Sequence, residues 1–148
     1  MAAGLTVRED NFAEFTEAFR RTASKRLSDV DLQPRLHLDH EISFRDLSIE
    51  LLGWYQLLEP FGNGNSPPTF FARGIEPNIP PRVLKDKHLV LHLRQGNHFR
   101  RAIFFDGASV PLPSSPWDVA FRLNADEYEG ETRLQIYVEA VRESVPFA

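Results

Sequence analysis

The sequence contains no cysteine among its 148 residues, and this absence excludes several kinds of chemistry. Without a thiol there is no disulfide framework, no cysteine nucleophile and no cysteine-ligated zinc. No apolar run approaches the ~20 residues that span a bilayer, and the first residues lack the basic and apolar segments of a signal peptide. We therefore expect a protein of the reducing cytoplasm, without a membrane partner.

Residue clusters typical of a catalytic centre are also missing. A two-metal hydrolytic site needs several carboxylates and imidazoles that converge on ions about 3.5–4 Å apart. The nearest approaches are Asp39-His40-Glu41 and the pair His88 and His92, which has no carboxylate between its members on the shared strand face. No spacing fixes a Ser-His-Asp arrangement either. We expect no catalytic residue and no metal ligand in this chain.

The charge that is present is unevenly distributed, although the net charge is −4. Residues 1–68 contain 7 basic and 11 acidic residues, and residues 102–148 contain 3 basic and 8 acidic ones. Residues 69–101, in contrast, contain 7 basic and 2 acidic residues. Binding to phosphates requires a local excess of positive charge whatever the total. The middle segment is therefore the candidate anion-binding region, with a chance fluctuation in a short window as the alternative.

Two segments in the first half have helical periodicity. Asp10 or Asn11 is placed to cap the first, and Ser43 or Ser48 the second, which Pro60 and Gly62 end. The apolar stripe of the first helix is Phe12, Phe15, Phe19, Ala23 and Leu27. The predicted buried face of the second helix is Leu47, Leu51, Trp54, Leu57 and Leu58. Between them, residues 36–42 alternate weakly and predict a short strand.

The second half has the two-residue periodicity of β-strands. Strands are predicted at residues 69–75, 87–94, 99–105, 117–126 and 132–141. The last two are joined by a tight hairpin in which Gly130 supplies a positive φ. Five short strands in about 75 residues match the size of an OB-type barrel. The predicted fold is α+β, a five-stranded OB-type β-barrel preceded by two helices.

The most specific motif joins the second helix to the barrel. Residues 58–70, LEPFGNGNSPPTF, resemble the Leu-Glu-Pro-Phe-Gly-x-Gly-Asn-x-x-Pro-x-Phe signature of RecJ exonucleases. Asn63 and Ser66 stand where the family usually has proline. We interpret Gly62 and Gly64 as residues of backbone geometry rather than a phosphate loop, because they precede a strand instead of a helix.

The resemblance extends over essentially the whole chain. Residues 1–7, MAAGLTV, resemble the end of the family's Gly-Gly-His-x-x-Ala-Ala-Gly motif, and residues 86–89 and 127–130 resemble its barrel. The resemblance implies a terminal helix of a truncated DHHA1-like domain at 1–30, a linker and helix ending in the EPFGNGN loop at 31–68, and an OB-fold nucleic-acid-binding domain at 69–148. It also implies that the chain begins inside a domain and is a fragment.

The resemblance implies a function as well. The chain would be the single-stranded-DNA-binding C-terminal part of a 5′–3′ single-stranded-DNA exonuclease of repair and recombination. Its implied partners are single-stranded DNA, the missing catalytic region and a single-strand-binding protein. Mg²⁺ or Mn²⁺ is expected for the full-length family enzyme and no cofactor for this chain, which we expect to be inactive alone.

The DNA-binding residues follow from how OB folds bind single strands. The ligand crosses strands two and three, between the loop that joins strands one and two and the loop that joins strands four and five. In this sequence those positions hold Arg82, Lys85, Lys87, His88, Arg94, Arg100, Arg101 and Tyr128. Glu127, Glu129 and Glu131 count against strong binding at the second loop.

Two other functions remain open at this point. The chain is alternatively a protein-interaction module that docks on a nuclease core or a single-strand-binding protein, as the apolar face of Phe12, Phe15 and Phe19 suggests. A weaker alternative is an OB domain of an RNA-binding protein.

Overall fold

A computed structural model describes residues 4–28 and 31–145 of the chain. The chain divides into two compact units, Met1–Leu36 and His37–Ala148. The start of the MAAG segment and the predicted boundary at residue 30 lie outside the described residues, so the three-part division of the chain stays a prediction.

The first unit contains a single-turn 3₁₀ helix, Glu9–Asn11, followed by helix α1, Phe12–Arg26. The predicted first helix is therefore confirmed. Asn11 occupies its N-cap position without a side-chain hydrogen bond to the helix. Phe12 and Phe19 are both largely exposed, and the rings of Phe15 and Phe19 lie 5.8 Å apart.

The described part of the second unit contains six strands, one α-helix and a 3₁₀ turn at Gly107–Ser109. The strands and the α-helix are β1 His40–Glu41, α2 Ile49–Gln56, β2 Phe70–Leu84, β3 His88–Gln95, β4 His98–Phe104, β5 Trp117–Tyr128 and β6 Glu131–Glu143. Strands β2 to β6 form a closed barrel in the order β2-β3-β4-β6-β5, and β5 returns to pair with β2. Only β4 and β6 pair in parallel within the barrel, and β1 pairs in parallel with β2 on its outside. The α+β class and the five-stranded OB-type barrel are therefore confirmed. Neither α1 nor α2 is long and apolar enough to cross a bilayer.

The core is the interior of this barrel. Strand β3 contributes Leu89, Leu91 and Leu93, which alternate as the sequence predicts. Strands β5 and β6 contribute Val119, Phe121, Leu123, Ile136 and Val138. Phe44 is fully buried, and its ring meets Phe121 edge to face at 6.2 Å between centroids. The segment before α2 therefore packs directly against the barrel core.

Strand β2 is twice as long as predicted. The predicted strand ended at Ile75, but the strand continues through Pro77, Pro80 and Pro81 to Leu84, with irregularities in its pairing with β3. Its first part pairs with β5 and its second part with β3. Gly74, with a φ of 64°, lies at a register shift in the pairing of the first part with β5, just before the strand turns to β3. This bend lets one strand serve both sides of the barrel.

Replacing Gly74 should therefore cost stability. No heavy atom lies within 4 Å of a Cβ added there, so the cost of Gly74→Ala is the strain of a positive φ, about 1–2 kcal/mol. Gly53→Ala is the matched control, because Gly53 also has open space but lies inside α2. It should stabilise the helix by about 1 kcal/mol. Urea unfolding of both variants measures the difference, and equal midpoints would contradict the role given to Gly74.

The structure of helix α2 confirms one prediction and contradicts most of another. Ser48 caps it as predicted, since its hydroxyl accepts a 3.1 Å hydrogen bond from the amide of Leu51. The predicted buried face is wrong at three of its five positions, because Trp54, Leu57 and Leu58 are exposed. The helix begins only at Ile49, and this start turns Leu52 and Tyr55 toward the core. Leu47 is buried, but in the segment that precedes the helix.

The EPFGNGN motif forms a compact turn between α2 and β2. The Asn65 amide nitrogen donates to the carbonyl oxygens of Leu58 and Pro60, at 2.9 and 3.0 Å. Gly62 and Asn65 exchange backbone hydrogen bonds, and Gly64 between them has a φ of 84°. These contacts agree with the interpretation of the motif as backbone geometry.

Candidate nucleic-acid interface

The outer face of β4 carries an unusual set of side chains. Ala102 and Phe104 point into the core, so the residues that alternate with them along the chain point outward. The outward residues Phe99, Arg101, Ile103 and Phe105, which directly follows the strand, are called the outer row below. Phe99 is 54% exposed, and Phe105 and Arg101 are also exposed. This part of the barrel surface therefore combines aromatic rings with a cation.

The turn between β2 and β3 lies at the Phe105 end of the outer row. The ring of His88, which follows the turn, meets Phe105 edge to face at 5.1 Å. Its Nδ1 accepts a 3.0 Å hydrogen bond from the backbone amide of Asp106. The exposed Lys85 and Lys87 stand in the turn itself. Two ammonium groups therefore lie near this end of the outer row.

Two residues of this turn, neither of them glycine, have a backbone conformation that favours glycine. Lys85 and Asp86 both have positive φ, 51° and 60°, as a type I′ turn requires at its two central positions. Such turns favour asparagine and glycine, and a lysine with positive φ is uncommon. The sequence thus keeps a cation where turn geometry alone would select another residue.

The β5–β6 hairpin borders the other side of the outer row. A groove of about 520 Å³ is lined by Arg101, Ile103, Asp126, Tyr128, Arg133, Leu134 and Gln135. The Arg133 guanidinium lies 5.1 Å from the centroid of the Tyr128 ring, and it forms a 3.0 Å ion pair with Glu131. Glu129 and Gly130 form the turn of the hairpin with φ of 53° and 80°, as predicted for Gly130. Phenol, guanidinium and carboxylate groups therefore meet in one concave surface.

The structure brings most of the predicted DNA-binding residues to this side of the barrel. Arg101 and Tyr128 line the groove. Arg82 pairs in register with Val90, which pairs with Ile103 of the outer row, so all three share one face. Lys85, Lys87 and His88 lie at the adjoining turn.

Arg94 and Arg100 are each held by contacts within the protein, although Arg94 lies directly opposite Phe99 of the outer row. Arg94 forms an ion pair with Glu76 on the neighbouring strand. The Arg100 guanidinium donates to the carbonyl oxygens of Phe44 and Leu47, both at 2.7 Å, and burial lowers the pKa of Arg100. Arg100 therefore holds the segment before α2 against the barrel. DNA binding by these two arginines stays an untested prediction, and we leave them out of the interface.

Sequence reasoning did not name several residues of this surface: Phe99, Ile103, Phe105, Asp126, Arg133, Leu134 and Gln135. For Phe99 and Phe105 a signal was present in the alternation of β4, because aromatic residues at outward positions of a strand call for an explanation. Phe105 also contacts Tyr137 of β6 at 5.0 Å between ring centroids. The aromatic surface therefore continues across the parallel β4–β6 pair.

The described residues offer no site for a catalytic metal ion. Within residues 4–28 and 31–145, no three His, Asp or Glu side chains converge as ligands. Asp39, of the Asp39-His40-Glu41 segment, accepts a 2.7 Å hydrogen bond from the amide of Thr69 and so fastens the start of β2. Glu41 pairs with Arg73 at 3.3 Å. These carboxylates stabilise the barrel edge.

Comparisons with known proteins agree with this architecture. Three curated proteins named single-stranded-DNA-specific exonuclease RecJ match about 95% of the chain. They come from Haemophilus influenzae, Dickeya dadantii and Salmonella typhimurium, with 27%, 25% and 23% identity. The chain spans only 25% of the length of each.

Solved structures and a family model give the same result. The structures of RecJ from Thermus thermophilus with Mn²⁺ and with Mg²⁺ superpose with TM-scores of 0.73 and 0.71, at 22% and 21% identity. The matches cover 98% and 97% of this chain and 21% of each of those chains. The family model described as the RecJ OB domain matches residues 38–140, which include the whole barrel except its last residues. The chain therefore belongs to the RecJ family and carries its OB domain.

Proposed function

We propose that the chain is the single-stranded-DNA-binding part of a RecJ-type 5′–3′ exonuclease that acts in DNA repair and recombination in the cytoplasm. The relatives' names supply the activity of the whole protein. The observation that carries the proposal for this chain is the outer row, with lysines at one end and the Tyr128 groove beside it. It lies where OB folds bind single strands.

The chemistry of this surface suits a flexible single strand. Lysine and arginine side chains neutralise phosphates, and the release of counterions makes binding dependent on salt. Exposed Phe99 and Phe105 offer faces on which bases stack, whatever their sequence. A double helix hides its bases, so the aromatic rings favour the single-stranded form.

The chain's role in the whole enzyme would be to hold the strand. We propose that the catalytic residues, and the Mg²⁺ or Mn²⁺ that they bind, belong to the rest of the protein. The rest of the nuclease, and a single-strand-binding protein, are then its proposed partners. A pure preparation of this chain should release no nucleotides from single-stranded DNA with either metal.

Charge reversal in the β2–β3 turn tests the proposal. Binding to fluorescent oligo-dT should weaken by at least about tenfold in Lys85→Glu/Lys87→Glu at low salt. The slope of log affinity against log salt should fall by about 1.4, since each phosphate contact to a single strand contributes about 0.7. Fluorescence anisotropy at several salt concentrations measures both.

A matched control separates local contacts from net charge. Lys25→Glu/Arg45→Glu changes the net charge equally, with one residue in α1 and the other, exposed, before α2. It should bind like the unmodified chain, apart from a small general effect. Equal losses in both double variants, or no binding by the unmodified chain at low salt, would refute the proposed interface. Equal affinity for RNA would favour an RNA-binding OB domain.

Protein interaction remains the second candidate function. Its support is apolar surface outside the outer row. Phe12 and Phe19 are exposed on α1, and Trp54 of α2 and Leu57 at its C-cap are 64% and 73% exposed. Association through such surfaces depends little on salt. Light scattering at increasing concentration, at low and high salt, distinguishes it from DNA binding.

A further inference from the structure

The groove beside the β5–β6 hairpin contains polar groups that the protein itself does not use. Gln135 is only 6% exposed, yet its side chain forms no hydrogen bond within the described residues. Its polar atoms are not sealed from solvent either, so they open into the groove that they line.

Two charged groups in the same groove are also unpaired. Neither Arg101 nor Asp126 has a side-chain hydrogen bond or ion pair in the part of the chain that the structure describes. Nearby charges behave differently, since Arg133 pairs with Glu131 and Glu127 accepts a hydrogen bond from Thr132. The groove thus presents a free guanidinium, a free carboxylate and a free amide beside the Tyr128 ring.

This set of groups matches one nucleobase better than the others. The Watson–Crick edge of guanine carries two adjacent donors, N1–H and N2–H, which a single carboxylate accepts together. Guanine O6 and N7 are acceptors that arginine donates to in a bidentate manner. Adenine instead turns its N1 lone pair toward the carboxylate, and thymine offers only one donor. Cytosine has one exocyclic donor beside two acceptors.

We propose that the groove is a guanine-selective subsite for one base of the bound single strand, an inference that rests on the proposed function. Asp126 accepts from N1–H and N2–H, Arg101 donates to O6 and N7, and Gln135 completes the hydrogen bonds at the edge of the base. The base stacks on Tyr128, one face of which Arg133 covers. The volume of about 520 Å³ admits a nucleobase and its sugar.

The subsite predicts a base preference in an otherwise tolerant surface. Oligo-dT with a single central dG should bind at least about fivefold more tightly than oligo-dT alone, as expected for one good bidentate contact. A single dA or dC should give no comparable gain. Deoxyinosine, which lacks the N2 amine, should fall between dG and dT. Fluorescence anisotropy with these oligonucleotides is the measurement.

Substitutions at two neighbouring positions distinguish recognition of the guanine base from the effect of net charge. Asp126→Asn and Glu127→Gln each remove one negative charge, so both should raise the affinity for oligo-dT slightly and equally. Only Asp126→Asn should abolish the preference for dG, because Glu127 does not line the groove. Gln135→Ala should reduce the preference for dG.

The outcomes distinguish this inference from the proposed function. Salt-dependent binding of all oligonucleotides with equal affinity would overturn the guanine subsite and leave the DNA-binding surface intact. No binding of any oligonucleotide would overturn both. Free GMP should compete only weakly, since it lacks the neighbouring nucleotides. Competition by GMP as strong as that by the dG oligonucleotide would overturn the strand subsite and indicate a nucleotide-binding groove.

Discussion

Arg100→Ala should lower the unfolding free energy by about 2–4 kcal/mol and leave single-strand affinity nearly unchanged. Arg101→Ala should instead weaken single-strand binding and leave the unfolding free energy nearly unchanged. The two arginines are adjacent in sequence but lie on opposite faces of β4. The Arg100 guanidinium satisfies the carbonyl oxygens of Phe44 and Leu47, and a charge-assisted hydrogen bond contributes about 1.5–3 kcal/mol. Arg101 has no such partner in the described residues, so its removal costs the fold little.

The measurement requires a signal from the barrel core. Trp117 is buried at the start of β5 and reports on the core, whereas the exposed Trp54 contributes a background. Urea unfolding is therefore best followed by fluorescence in a Trp54→Phe chain, with oligo-dT anisotropy on the folded proteins. Arg100→Lys is a further control, because it keeps the charge but cannot reach two carbonyl oxygens with a planar fork. It should recover less than half of the lost stability.

The opposite result for the two arginine variants would indicate a different DNA-binding surface. If Arg100→Ala weakened DNA binding in a stably folded chain while Arg101→Ala had no effect, the strand would pass along the α2 side of the barrel. The outer row and the groove would then have no part in binding. Losses of affinity in both variants would show that the fold of β4, rather than either guanidinium, determines binding.

The barrel could be predicted from the sequence because its alternation is local. Leu89, Leu91 and Leu93 occupy every second position, and such a pattern specifies which face is buried without knowledge of the partner strands. The length of β2 could not be predicted, because its prolines are tolerated only at pairing irregularities that the partner strands create. Local signals cannot reveal such tolerance.

The interface could be predicted only in part. The turn lysines and Tyr128 follow from the positions of OB loops, but the fate of an arginine on β4 depends on contacts between segments far apart in the chain. Arg100 reaches Phe44 and Leu47, and Gln95 accepts a 2.7 Å hydrogen bond from the Phe44 amide. The sequence does not indicate that the segment before α2 would lie there. The groove likewise exists only once β4 and β6 pair in parallel.

Replacing both aromatic rings of the outer row should weaken single-strand binding by roughly 30-fold or more. Each base stacked on an aromatic ring contributes about 1–3 kcal/mol, so Phe99→Ala/Phe105→Ala loses at least about 2 kcal/mol. No charge is removed, and the loss should therefore be the same at low and high salt. This behaviour contrasts with the lysine variants, which reduce the salt dependence itself.

The control for this variant removes apolar side chains of similar exposure from another surface. Trp54→Ala/Leu57→Ala alters one exposed position in α2 and the exposed C-cap of that helix, and it should bind oligo-dT with unchanged affinity. Because Phe105 also contacts His88 and Tyr137, thermal unfolding must first show that the aromatic variant is folded at the assay temperature. A folded Phe99→Ala/Phe105→Ala chain with full affinity would mean that phosphate contacts alone hold the strand. A loss confined to low salt would mean that the rings only position the nearby cations. A loss of equal size at every salt concentration would instead place the bases of the strand on the outer row.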